Sequence, residues 1–99
     1  MRQGTTPTHT FTIPFDTGIV AKARVLYAQN DAVKIVKKET DAEMSGNTIT
    51  VRLTQEETLR LNHKHDTDIQ LRIVTEQGDS LVSDIITVKT EQCLNDEVL

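Results

Sequence analysis

The chain has no Trp, one Tyr and two Phe among its 99 residues, so the side chains that usually dominate burial are scarce. Val, Ile and Leu must therefore supply most of the apolar area. The hydrophobic set reaches 36%, and even with the four glycines added it stays below the ~45–50% typical of globular domains. A thin core follows, and self-association or docking onto a larger assembly would help to stabilise it. Cys93 is the one cysteine. It excludes an internal disulfide and a zinc knuckle built on paired cysteines, and it suits a reducing compartment. No stretch approaches the ~20 apolar residues of a membrane span, and the opening MRQGTTPTHT lacks the apolar run of a secretory leader. Basic excess is missing too: eleven basic residues against fifteen acidic ones leave a net charge of −4, which repels phosphate backbones and anionic lipid. Lys34, Lys37 and Lys38 run directly into Glu39 and Asp41, so no basic stripe with interleaved aromatics forms. Neither nucleic acid nor membrane is expected as a partner.

What is present is a period of two. Ninety-nine residues make one domain, 1–99, because a second core would leave each half near the ~40 residues below which staples are needed. In HTFTIPF, residues 9–15, Phe11, Ile13 and Phe15 share a face, and Pro14 marks an edge or a strand end. After Asp16-Thr17-Gly18 the residues Ile19, Ala21, Ala23, Val25 and Tyr27 line up opposite Lys22 and Arg24. Gln29-Asn30-Asp31 is turn chemistry and Val33 and Ile35 resume the alternation, so residues 19–38 read as a hairpin. Ser45-Gly46-Asn47 is another corner, followed by a strand with Ile49, Val51 and Leu53 inward. Thr54 and Glu57 have capping-box spacing for one or two helical turns, with Leu59 over the end of the core. Ile69, Leu71 and Ile73 face inward on the next strand, and Gln77–Ser80 turns it back into LVSDIITVKT, which runs to about Thr90. Six strands result, seven if residues 40–44 pair, with one short helix around residues 55–62; residues 1–7 and 91–99 are expected to be flexible. The fold class is all-β, an antiparallel β-sandwich. No repeat, low-complexity tract or linker divides the chain.

Several short stretches mimic catalytic or binding motifs. Asp16-Thr17-Gly18 matches the aspartic proteases, whose dimers pair two such carboxylates around one proton. Each of those loops also needs an apolar-apolar-Gly brace, but Gly46 and Gly78 both sit in polar corners. An Asx-type turn, with Asp16 on backbone amides and Gly18 at positive φ, is the expected reading. Residues 78–81, Gly-Asp-Ser-Leu, match a hydrolase motif by letters. All three histidines precede Ser80, and the antiparallel pattern offers no parallel sheet on which to build an oxyanion hole. His63, His65, Asp66 and Asp68, with His9 remote in sequence, could ligate a transition metal if residues 63–65 were extended; a solvated loop is the preferred reading. Cys93 lacks a neighbouring His or basic cluster to activate it. Glu97-Val98-Leu99 has the form of a strand-adding peptide ligand and carries no argument alone. No catalytic, cofactor-binding or metal residue is assigned.

Three segments carry a family resemblance: RQGTTPTHTFTIPFD, TVRLTQEETLRL and DIQLRIVTEQGDSLVSDIITVKT. Within them, Arg2-Gln3-Gly4, Leu53-Thr54-Gln55-Glu56-Glu57-Thr58 and Ser83-Asp84-Ile85-Ile86 contribute most. The chain resembles small proteins encoded in phages and prophages of Gram-positive bacteria and, more loosely, the amino-terminal immunoglobulin-like module of phage baseplate upper proteins. The resemblance implies an immunoglobulin-like sandwich acting as a non-enzymatic structural or adaptor protein of the tail or baseplate region. Partners would be other virion proteins or further copies of itself, met in the host cytoplasm during assembly, with the virion as a further location. The baseplate proteins continue into further modules whereas this chain stops at Leu99, so an anchoring role within a larger fibre is not carried over. The alternatives are a dimeric aspartic protease using Asp16 and a small regulator that binds a host protein.

Overall fold

In the computed structural model, which describes residues 1–99, strands β1 (Thr8–Thr12), β2 (Val20–Gln29), β3 (Ala32–Lys38), β4 (Ala42–Ser45) and β5 (Thr48–Arg52) precede the helix α1 (Gln55–Leu59). Strands β6 (Thr67–Thr75), β7 (Ser80–Val82) and β8 (Ile86–Val88) follow. Short 3-10 turns occupy Thr17–Ile19 and Glu39–Asp41. The strands form two antiparallel sheets, a smaller one ordered β1-β5-β4 and a larger one ordered β3-β2-β6, whose far margin β7 and β8 share. This is the all-β sandwich that the alternation implies. Residues 42–45 do pair, and the last strand divides in two, which makes eight strands.

The core lies between the sheets. Ala23, Val25 and Tyr27 of β2 and Ile69, Leu71 and Ile73 of β6 meet Ile49, Val51 and Leu53 from the smaller sheet. Tyr27 is the one large aromatic fully inside, while Phe11 and Phe15 are half-covered. The chain crosses between the layers three times: from β1 to β2 through the 3-10 turn at Thr17–Ile19, from β3 to β4 through that at Glu39–Asp41, and from β5 to β6 through α1.

Several local expectations need correction. A bulge between Val20 and Lys22 shifts the register of β2, so Ile19 and Ala21 do not continue the buried row and both are exposed. A second bulge between Tyr27 and Ala28 leaves Val33 outside while Ile35 goes in. Gln29 belongs to β2 rather than to the corner; the turn is Asn30-Asp31 alone, with φ of 51° and 63°, the two left-handed residues of a tight hairpin. The helix carries the capping box, Thr54 Oγ1 accepting from Glu57 N and Glu57 accepting from Thr54 N, but it ends at Leu59. Leu61 rather than Leu59 fills the core end.

The two ends, expected to be flexible, meet. Glu91 N donates to Met1 O and Gln3 N to Glu91 O, forming a parallel bridge between Arg2 and Glu91. The Gln3 amide donates to Leu61 O and accepts from Cys93 N. Gly4, at φ +77°, brings the chain against Cys93 and Leu59.

Candidate functional site

Each catalytic mimic has a structural employment. Asp16 Oδ1 accepts from Gly18 N at 2.7 Å, an Asx turn at the start of the 3-10 turn. Thr17 ties that corner to the next layer, its N–H and its hydroxyl both donating to Gly46 O. Gly18 does not adopt positive φ; what distinguishes the position is a close approach, since a Cβ there would stand 3.0 Å from Asp16 Oδ1 and the carboxylate would have to give way. Gly78, at φ +89°, makes the β6–β7 turn, in which Thr75 N donates to Asp79 O and Asp79 N to Thr75 Oγ1. Ser80 opens β7 opposite Val74, at the far end of β6 from residues 63–65. That end-to-end separation is roughly 20 Å at ~3.3 Å per residue, beyond any serine–histidine contact.

The His-rich loop is not extended. Asn62 caps it, its Oδ1 accepting from Lys64 N and its carbonyl from His65 N, so residues 62–65 turn rather than extend, and His63 and His65 are both exposed. No group of three or more His, Cys, Asp or Glu side chains converges anywhere. Beneath the loop lies Gln29, 1% exposed, whose amide donates to Asn62 O and His65 O and accepts from Asn62 N. Thr67 and Thr90 hydroxyls, 2.6 Å apart, complete that buried polar knot. Cys93 Sγ contacts Asn95 O, and Leu99 N donates to Gln55 Oε1.

His9 faces inward from β1 and joins its Nδ1 to the Tyr27 hydroxyl at 2.7 Å. Burial holds the imidazole below its ordinary pKa, and burial with the nearby Glu57 carboxylate pushes the Tyr27 phenol well up. Glu57 pairs with Lys37 at 2.6 Å under the helix. Burial pushes the Glu57 carboxyl up, but the Lys37 and Thr54 donors outweigh it and leave the group below the usual glutamate range. His9 thus links β1 to β2, and the Glu57–Lys37 pair links the helix to β3.

The feature that the structure leaves unsatisfied is apolar. Along the margin opposite the β3–β4 crossing, β1 of the smaller sheet faces β7 and β8 of the larger one; the joined ends close it beyond β8, but β1 forms no ladder with either strand. Leu81, paired with Ile73, and Ile86, paired with Ile69, point toward the interior, yet they remain 42% and 53% exposed. Two hollows flank them. One, about 210 Å³, lies among Ile13, Pro14, Leu71 and Leu81; the other, about 260 Å³, lies among His9, Phe11, Ile86 and Val88. Between them Ser83 interrupts the strand: its N–H donates to Leu71 O and its hydroxyl accepts from Leu71 N, while Asp84 and Ile85 swing outward. A larger recess of about 450 Å³ beside the start of α1 is shallow and lined mainly by polar residues such as Thr6, Arg52 and Glu56.

Sequence reasoning did not single out this margin. The signal was present in the doublets Leu81-Val82 and Ile85-Ile86: in a strand with alternating faces, one member of each pair must look outward. No family model matches the chain, and no characterised protein or solved structure matches it either. No helix is long and apolar enough to cross a membrane.

Proposed function

We propose that the protein is a non-enzymatic binding module that receives an extended segment of a partner protein along the open margin between β1 and β7–β8. The observation that carries this reading is that Leu81 and Ile86 point inward without being covered. Each stands beside an apolar hollow that an aliphatic side chain would fill, and burying such side chains is the main source of affinity at an interface of this kind. The margin also carries free backbone donors and acceptors, because β7 and β8 pair only with β6 and β1 only with β5. A partner strand would take its main-chain hydrogen bonds from that edge and its specificity from the hollows. Asp84, at the interruption, places a charge on the edge and discourages indiscriminate pairing.

Following the resemblance to small phage and prophage proteins, the proposed setting is the tail or baseplate region of a phage, with other virion proteins as partners. The separation of Ser80 from His63 and His65, the hydrogen bond of His9 to the Tyr27 hydroxyl and the engagement of Asp16 in its own turn support a module without catalysis. The test is made in phage particles assembled with Leu81→Arg or Ile86→Arg protein. Mass spectrometry of purified particles and of their assembly intermediates should find the wild-type chain and lose it in both variants, while circular dichroism shows the variants folded. Wild-type chain missing from particles and intermediates alike would retire the virion setting. Undiminished incorporation of both variants would retire the margin as the binding site.

A further inference from the structure

A second surface of this protein carries charge that its own fold does not answer. On the outer face of the larger sheet, Arg24 of β2 stands directly between Lys38 of β3 and Arg72 of β6, and Lys22 follows two residues away on the same face. Arg24 is answered by Glu39, but Lys22, Lys38 and Arg72 have no carboxylate within ion-pair distance. Like charges set opposite each other across strands destabilise a sheet. Apart from the Arg24–Glu39 pair, folding gains no ion pair from this row, in a chain whose net charge is −4. Beside the cations runs an aliphatic row: Leu26 opposite an exposed Val36, with Val82 exposed next to Arg72.

We infer that this face binds an extended acidic segment of a partner protein, one that carries a carboxylate at every second residue. Charge complementarity is the argument for the carboxylates. Geometry supports the spacing, because side chains two apart on a strand repeat at about 6.8 Å, the same repeat that separates Lys22 from Arg24. Nucleic acid fits the face less well, since none of these residues is aromatic, so bases would find nothing to stack on. The surface is distinct from the open margin, and the two readings fail independently.

The test is a nuclear magnetic resonance titration of the isotopically labelled full chain. The probe is a short blocked peptide alternating Glu and Val, with its Lys and Val counterpart as control. The Glu-Val peptide should shift amides of β2, β3 and β6 around Arg24, and higher salt should weaken it. Arg72→Glu and Lys22→Glu should each lower affinity about tenfold with melting temperature unchanged. The inference is overturned by equal binding of the Lys-Val peptide, by affinity indifferent to both reversals, or by no shifts at millimolar peptide. It is overturned as well if a single-stranded oligonucleotide binds the face more tightly, or if the face proves covered in a self-associated form that Arg72→Glu dissociates.

Discussion

Gln29 shows how much one buried amide can organise. It holds both sides of the Asn62–His65 loop from below, so Gln29→Leu, close in size but unable to hydrogen-bond, leaves Asn62 N and His65 O without their partner and Asn62 O with His65 N alone. The variant should lose about 2–3 kcal/mol in urea unfolding, and amides of residues 62–66 should exchange faster. Acid stability is also set by single residues. The imidazole of His9 is held below its ordinary value in the fold, so the folded form resists its protonation; stability is complete above about pH 6.5 and falls as pH drops below it. Glu57, likewise lowered, adds stability above the ordinary glutamate range that is lost as pH falls through its folded value. Thermal melts across pH should therefore show two declines: His9→Gln removes the upper one and Glu57→Gln the lower. Little of this was legible from residue letters. His9 sits on the same alternating face as Phe11 and Ile13, so its inward aim followed from period two, but Tyr27 as its partner depended on which strands lie across the core. The three glycines with positive φ and the one without show the same limit. Asp16-Thr17-Gly18 announced an Asx turn, whereas what distinguishes its glycine, close approach rather than backbone handedness, lay in one carboxylate oxygen.

At the scale of the element, strands with strict alternation and clean corners were readable: β5 and β6 carry their buried residues where the pattern puts them. The capping box of α1 was readable for the same reason, since it is a local matter of three-residue spacing. Thr54→Ala should cost about 1 kcal/mol, measured by denaturant unfolding, because Glu57 N loses its acceptor. Bulges were not readable. Those in β2 and between its partners insert a residue without any sequence signature, and each turns the following apolar side chain to the other face, as Ile19 and Val33 show. The interruption of the last strand is of the same kind. Ser83→Ala, which removes the hydroxyl that accepts from Leu71 N, should destabilise by about 1 kcal/mol and loosen β7 and β8 from β6. Leu81→Arg and Ile86→Arg, by contrast, should each change stability by less than about 1 kcal/mol, since both side chains already stand half in water. A much larger loss for either would mean that the margin belongs to the core rather than to a partner.

The molecule as a whole measures 46 × 27 × 16 Å, long and thin, with its strongest pairing along β2 and β6. Those two strands should hold the slowest-exchanging amides, and β7, β8 and the ends should open first. The joining of the ends was outside what local pattern could supply, because it links residues about ninety positions apart. It does give the Arg2-Gln3-Gly4 stretch a purpose: Gln3 spans from Leu61 to Cys93, and Gly4 lets the chain pass close to Cys93 and Leu59. Gln3→Ala should therefore destabilise by about 1–2 kcal/mol, whereas Arg2→Ala, at an exposed ion pair, should change little; paired urea curves distinguish the two.

Because β1 forms no ladder with β7 or β8, the sandwich is fastened at the ends of its strands, by three chain crossings and by the joined termini, rather than along that long side. Behind it lies a filling of small aliphatic groups around Tyr27. If the proposed module receives its partner there, a slim ribbon of valines or isoleucines would fit against the exposed Leu81 and Ile86 without parting the layers, whereas a bulky ring would have to prise them apart, and the fold would sort its guests by thickness.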